Sequence, residues 1–196
     1  MIKVIAVDFG GVYFTWNYKK YLLEISKVTN TNPEKVKKAL STQKLLDFHV
    51  DKISEKEYWN SFCKKINKKI DHKILKKITL DQSKPIIQVI NLIRKLRKNY
   101  YIILLANQTK ALDDLDRKYH FYKDFDLLLS SHIIKMQKPN KNIFKMMLNK
   151  THLNPSEIIF IDDTKKNIDV AKKIGIHGIL FKNFNQLKKE INRIIK

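Results

Sequence analysis

The chain predicts an α/β fold, a doubly wound parallel sheet interrupted by an all-helical insertion, on three observations. Apolar runs short enough to be buried strands alternate with segments of helical periodicity, the pattern of βα units. Between the first of these runs and the second, residues 14–82 show helical signals only. Several runs stop at polar groups suited to chemistry, and in an open α/β sheet the ligand crevice lies beyond the carboxyl ends of the strands. The expected division is residues 1–13 plus 83–196 as the sheet core, with 14–82 as a small helical cap.

The first run, Val4-Ile5-Ala6-Val7-Asp8-Phe9-Gly10-Gly11-Val12, is apolar up to a carboxylate and two glycines. Continuous apolar residues fit a parallel strand covered on both faces. Asp-x-Gly-Gly is also a common turn, so Asp8 on its own reads equally as a strand-end cap. Tyr21, Leu22, Ile25 and Val28 then give a helical stripe. Asn32 ahead of Pro33 is an N-cap with proline at the first helical position, opening a helix through Leu40. Ser54 and Glu57 form a capping box, and the helix behind it carries Tyr58, Phe62 and Ile66 on its apolar face. Asp71 opens another helix through Ile78, and Tyr58, Trp59 and Phe62 read as core packing. Pro85 opens a helix through Lys98 with Val89, Leu92, Ile93 and Leu96 at helical spacing. Tyr101-Ile102-Ile103-Leu104-Leu105-Ala106 is the second strand, a helix begins near Thr109, and Asp126-Leu127-Leu128-Leu129 is the third strand. A loop and helix run from Lys138 through Leu148. Ile158-Ile159-Phe160-Ile161 ends in Asp162-Asp163, followed by a helix that closes at Gly175. Gly178-Ile179-Leu180-Phe181 and a helix through Ile195 complete the pattern.

Lys and Arg number 40 against 19 Asp and Glu, a formal charge of +21 that suits polyanionic partners such as nucleic acid or an anionic membrane. The basic residues are scattered along the chain, often as pairs such as Lys37-Lys38 and Lys172-Lys173 on solvated helix faces. The basic-aromatic interleaving of single-strand binders is missing, so nucleic acid is compatible with the charge but supported by no motif. Cys63 is the sole cysteine, which excludes an intramolecular disulfide framework and a cysteine-based structural zinc site and fits a reducing cytoplasm. No run approaches the ~18 apolar residues of a membrane helix, and no membrane partner is expected. His49, His72, His120, His132, His152 and His177 are dispersed and read as surface or locally satisfied residues. Nothing in the pattern defines an oligomeric state.

The strand ends bring Asp8, then Asn107 with Gln108 and Thr109, then Lys138, then Asp162 and Asp163 to one crevice. Three carboxylates and one ammonium suit a hard cation and a phosphate. Magnesium takes oxygen ligands and usually keeps several waters. Lys138 would neutralise the nucleophile and the transferring phosphoryl group. Asp8 would attack phosphorus, giving an aspartyl-phosphate that water cleaves.

At these motifs the chain resembles the haloacid dehalogenase-like hydrolase superfamily, over essentially its full length. Asp8-Phe9-Gly10-Gly11-Val12 is similar to the family's first motif, and Leu104-Leu105-Ala106-Asn107 to its second. Ser131 with Lys138-Pro139-Asn140-Lys141-Asn142-Ile143-Phe144 resembles the third; Asp162-Asp163, Asn167, Ala171 and Gly175 match the fourth. A helical insertion directly after the first motif is similar to the subgroup with a small helical cap on a Rossmann-like core. The resemblance implies that Asp8 is nucleophile and magnesium ligand, that Gly10 offers its backbone carbonyl to the metal, and that Asp162 and Asp163 complete the metal site directly or through water. It implies that Lys138 pairs with Asp8 and that Asn107 and Gln108, with Lys138, contact phosphate. The activity implied is a magnesium-dependent phosphatase for a small phosphorylated metabolite, similar to sugar 1-phosphate phosphatase-like members.

Two positions depart from the family pattern. Its usual general acid stands two residues after the nucleophile, where this chain has Gly10, and such an acid is typically worth ~10²–10⁴-fold. Some family phosphatases that resemble this chain also carry glycine there. Ala106 replaces Ser or Thr and removes one hydroxyl donor to phosphate. Together these departures leave a second reading, a binding or regulatory protein that keeps the fold and metal site without turnover. A haloacid dehalogenase proper is a third, against which the Asp162-Asp163 pair stands, and a nucleic-acid end phosphatase would account for the charge.

Overall fold

In the computed structural model, which describes residues 1–195, β1 (Val4–Val7) is buried at every position. After it the chain enters a block of helices: α1 (Tyr18–Thr29), α2 (Pro33–Leu40), α3 (Gln43–His49), α4 (Glu55–Ile66) and α5 (His72–Asp81). Local chemistry starts most of them. Asn17, Asn32 and Asp71 each accept a backbone N–H of the first turn, and Ser54 with Glu57 forms the reciprocal capping box. Each such cap contributes about 1 kcal/mol. Ile25, Val36, Phe62, Ile66 and Leu75 meet in a cluster separate from those against the sheet. Burying side chains of this size is worth roughly 1.5–3 kcal/mol each, so the block has an apolar centre of its own. α3 carries no fully buried residue, and its weak periodicity explains why sequence reading did not mark it.

The chain leaves for the helical block and returns side by side. Thr15 N–H donates to the Lys84 carbonyl at 2.7 Å, Ile86 N–H donates to the Tyr13 carbonyl at 3.1 Å, and Phe14 bridges Pro85. This pairing corrects the expected helix start at Pro85: residues 85 and 86 are held against the outgoing strand, and α6 runs Ile87–Leu96.

β2 (Tyr101–Ala106) follows, then α7 (Ala111–Tyr119), β3 (Leu127–Ser130), α8 (Ser131–Ile134), α9 (Lys141–Thr151), β4 (Ile158–Asp162), α10 (Lys165–Ile174), β5 (His177–Leu180) and α11 (Phe184–Ile195). The sheet order is β3-β2-β1-β4-β5, all parallel, with β1 at the centre. α9 begins three residues later than Lys138 because the Asn140 side chain caps the Asn142 N–H, leaving Lys138 in the preceding loop. β3 begins one residue after the expected run and β5 one residue before it.

Period-two alternation divides the strands between two cores. Ile5, Val7, Ile102, Leu104 and Ile161 pack with Val89 and Ile93 of α6, Leu112 of α7 and Leu187 of α11. Val4, Ala6, Ile103, Leu105 and Phe160 pack with Phe144 and Met147 of α9 and Ile168 of α10. Helices therefore cover both faces, as a parallel sheet requires. Val7 stands opposite Leu104 and Ile161, so Asp8, Asn107 and Asp162 emerge at the same edge. Among the described residues no helix is long and apolar enough to cross a membrane.

Candidate active site

Asp8 leaves β1 with its N–H donating to the Ile161 carbonyl at 2.9 Å, which aims the residue along the carboxyl edge of the sheet. Lys138 Nζ donates to Asp8 Oδ1 at 2.6 Å and to Asp162 Oδ2 at 2.7 Å, with its side chain only 1% exposed. The ammonium also lies 5.4 Å from the Phe160 ring centroid. Asp162 is more committed than its neighbour. Asn167 Nδ2 donates to both of its oxygens, and the Thr164 N–H donates to Oδ1 at 2.8 Å. Asp163 is exposed, and its one side-chain bond comes from the Thr164 hydroxyl at 3.2 Å. The paired acids thus differ: one anchors Lys138, the other is open.

Oxygen atoms of Asp8, Asp162 and Asp163 all lie within 4.8 Å of one another. Gly11, at φ +85°, makes that approach possible, since a Cβ there would collide with Asp163 Oδ2. Burial pushes the Asp8 carboxyl up to about 7; Lys138 opposes the rise and Asp162 adds to it. Burial would lower Lys138, but Asp8 and Asp162 outweigh it and hold the ammonium charged. Asp163 is raised by partial desolvation at the cavity edge and by the Asp162 charge. Three carboxylates around one ammonium leave an excess of negative charge that a divalent oxygen-seeking cation would offset.

The Asn107 side chain, expected at phosphate, is used differently. Its Nδ2 donates to the Lys138 carbonyl and its Oδ1 accepts the Lys138 N–H, both at 2.8 Å. Asn107 therefore fixes the loop from which Lys138 reaches in. Gln108 is held by its backbone: its N–H donates to Ser131 Oγ at 3.0 Å, and its carbonyl lies 3.1 Å from the same oxygen. Ser131 also donates to the His49 carbonyl of α3 at 2.8 Å, tying the strand-end loop to the helical block. Sequence motifs placed Ser131 in the site region but gave no sign of this tie, because it depends on how α3 docks on α8.

A cavity of about 540 Å³ opens over the sheet edge. Asp8, Gly10, Asn107, Gln108, Lys138 and Asp163 line its floor with Thr109, Ala111, Leu115, Thr164 and Asn167 beside them, and the helical block supplies the facing wall. Tyr58 and Trp59 both belong to the block's apolar cluster and line this cavity, whereas Phe62 belongs to the cluster alone. The packing expectation for the first two was therefore incomplete. His49, taken as a dispersed histidine, also lines the cavity, and burial pushes it down to about 4. A side chain at position 10 would meet no obstruction, its Cβ standing 3.8 Å from the Trp16 Cβ and 3.9 Å from Gln108 Nε2.

A buried carboxylate paired with a buried lysine, with further acids at the carboxyl edge of a parallel sheet, is an arrangement suited to a hydrolase of mixed α/β architecture. The chain belongs to the haloacid dehalogenase-like hydrolase family, whose model matches residues 16–181. The chain is 24% identical over 212 aligned residues to a D-ribitol-5-phosphate phosphatase of Bacteroides thetaiotaomicron, covering 100% of this chain and 99% of that one. A HAD-like family hydrolase of Porphyromonas gingivalis superposes with a TM-score of 0.88 at 24% identity, covering 100% of this chain and 98% of that one. A HAD family enzyme of Bacteroides thetaiotaomicron, solved in complex with magnesium and inorganic phosphate, superposes with a TM-score of 0.82 at 23% identity over 93% of this chain and 95% of that one.

Proposed function

We propose that the chain is a magnesium-dependent phosphatase for a small phosphorylated metabolite, working through an aspartyl-phosphate on Asp8. The observation that carries this reading is Lys138 bridging Asp8 and Asp162 while Asp163 stands open beside them. Asp8, Asp163 and the Gly10 carbonyl would hold magnesium, with Asp162 acting through water because Lys138, Asn167 and Thr164 already occupy its oxygens. When bound, the cation offsets the negative charge of the acids and of the phosphoryl oxygens.

Asp8 forms the bond to phosphorus as the bond from phosphorus to the alcohol oxygen breaks. Water then attacks phosphorus, phosphate leaves, and the carboxylate is restored. Lys138 holds Asp8 in line and keeps positive charge beside the transferring group. Gly10 supplies no proton. Gln108 Nε2, near the space a side chain at position 10 would fill, donates a hydrogen bond to the departing oxygen, whose proton comes from water. Residues 14–82 act as a cap that closes over the crevice and limits what enters it. The full-length similarity to a sugar-alcohol phosphate phosphatase supports a small phosphorylated substrate, and the magnesium and phosphate bound by a relative of the same fold support the metal.

The test is hydrolysis of 4-nitrophenyl phosphate with magnesium and with chelator. Chelation should abolish turnover, and Asp8→Asn should lower kcat at least about 1,000-fold while the variant still melts cooperatively. Asp163→Asn should lose the magnesium-induced rise in Tm. Full activity in Asp8→Asn would remove the nucleophile assignment, and an unchanged magnesium shift in Asp163→Asn would remove the metal assignment.

A further inference from the structure

The wall of the cavity that faces the sheet edge has an unusual composition for this chain. Although 30% of the residues are charged, the charged side chains lining the cavity are Asp8 and Asp163 at strand ends and Lys138 from the loop ahead of α9. Among the described residues, none of those that the helical block contributes to the cavity is Asp, Glu, Lys or Arg. In their place stand aromatic rings in two groups. Trp16 and Tyr21 have ring centroids 5.2 Å apart at one side; Phe48, Tyr58 and Trp59 form the other, with Phe48 stacked on Tyr58 at 4.9 Å.

The polar tips of the deeper rings are either sealed or already engaged. Trp59 Nε1 is sealed from solvent without a partner, so that side chain can offer the cavity only ring carbon. The Tyr58 hydroxyl points at the Leu40 carbonyl, 3.5 Å away, and the Tyr21 hydroxyl lies against Thr79. His49 adds no cation near neutral pH, since burial holds it neutral with Gln137 as its hydrogen-bond partner.

Such a wall selects by subtraction. A second phosphate or a carboxylate on the substrate would find no counter-charge there and would face Asp8 and Asp163 across the cavity. A chain of hydroxyls would find neutral partners in Tyr18, Ser41, Thr79 and Ser83, but Phe48, Tyr58 and Trp59 would set only aromatic carbon against it. The volume is that of a site for a drug-sized molecule. Resting on the reading of Asp8 as the nucleophile of a phosphatase, we infer that the substrate is a phosphate monoester of an uncharged, largely apolar alcohol, a ring or hydrocarbon skeleton that lies against Phe48, Tyr58 and Trp59.

The experiment compares 2-phenylethyl phosphate, glycerol 3-phosphate and 3-phosphoglycerate as substrates of the full chain with magnesium. In parallel, calorimetry compares two phosphonates that cannot be hydrolysed, 3-phenylpropylphosphonate and 3,4-dihydroxybutylphosphonate. The phenyl compounds should win by at least about tenfold in kcat/KM and in affinity, the effect of taking one ring out of water. Phosphoglycerate should be worst by a further tenfold or so. Leu45→Lys, which puts a cation on the apolar wall, should narrow the gap between phosphoglycerate and phenylethyl phosphate at least tenfold. Glycerol 3-phosphate or its phosphonate matching or beating the phenyl compounds in the wild-type chain would overturn the inference and leave the phosphatase reading intact. Tighter binding of the phenyl phosphonate, with no hydrolysis of any ester including 4-nitrophenyl phosphate, would sustain the apolar ligand class and sink the phosphatase reading instead.

Discussion

At the sheet edge, Lys138 is locked between two carboxylates at 2.6 and 2.7 Å, and its main chain is clamped by Asn107. Across the cavity, the helical block offers Tyr21, Phe48, Tyr58 and Trp59, whose positions follow mainly from packing in its apolar cluster. If the proposed function holds, the contrast divides chemistry from recognition within one chain. A buried charge network tolerates little change, because each member removed leaves another uncompensated in a low dielectric. An apolar wall is non-directional and adjusts to a new side chain at modest cost. Conserving a reaction while changing its substrate is easiest when the two are built from these two materials.

The largest effect should come from the charged side. Lys138→Met leaves Asp8 and Asp162 buried and facing each other with no cation, so stability should fall by about 3 kcal/mol or more at neutral pH. Denaturant melts at pH 7 and pH 5 check it, and the loss should shrink at pH 5, where the carboxylates accept protons more readily. A variant as stable as wild type at both values would mean that the network is far wetter than its burial indicates, and the contrast between the two walls would collapse.

Gly10→Asp sits on the boundary between the walls and sharpens the comparison. The position has a negative φ and free space, so the new side chain should be accommodated beside Gln108. If Gln108 gives only a hydrogen bond to the departing oxygen, wild-type rates should fall steeply as the leaving-group pKa rises. An added acid should then raise turnover of alkyl esters by roughly tenfold, the low end of what general acids contribute, with little gain for 4-nitrophenyl phosphate. Rates of wild type that ignore the leaving group would show that a proton donor already exists.

The smallest effect concerns His49, where the two walls meet through Ser131. Its pKa is pushed down to about 4 from 6.5 by burial, so between those values the unfolded chain holds more protons than the folded one. Stability from this group is complete above pH 6.5 and is lost as pH falls toward 4. Discounting for its partial exposure, the loss from pH 7 to pH 5 should be about 1 kcal/mol. His49→Gln should flatten that part of the Tm profile; an identical acid limb in the variant would assign the effect to other groups.

Strand and helix content was legible because buried parallel strands are continuous apolar runs and helix starts carry their own caps: the capping box at Ser54 and the N-cap at Asn32 form as written. Asp8, Asp162 and Asp163 come together because parallel strands in register deliver their next residues to one edge, and Lys138 joins them from the loop ahead of α9. Tertiary structure alone decided the rest. Pro85 could not reveal that it would pair with Phe14 instead of opening a helix, for that bond joins residues far apart in the chain. Asp162 and Asp163 look alike as neighbours, and only their surroundings make one an anchor for Lys138 and leave the other open. Tyr58 and Trp59 carry the same helical periodicity whether they face a core or a cavity, because periodicity reports which face is covered and says nothing of what covers it.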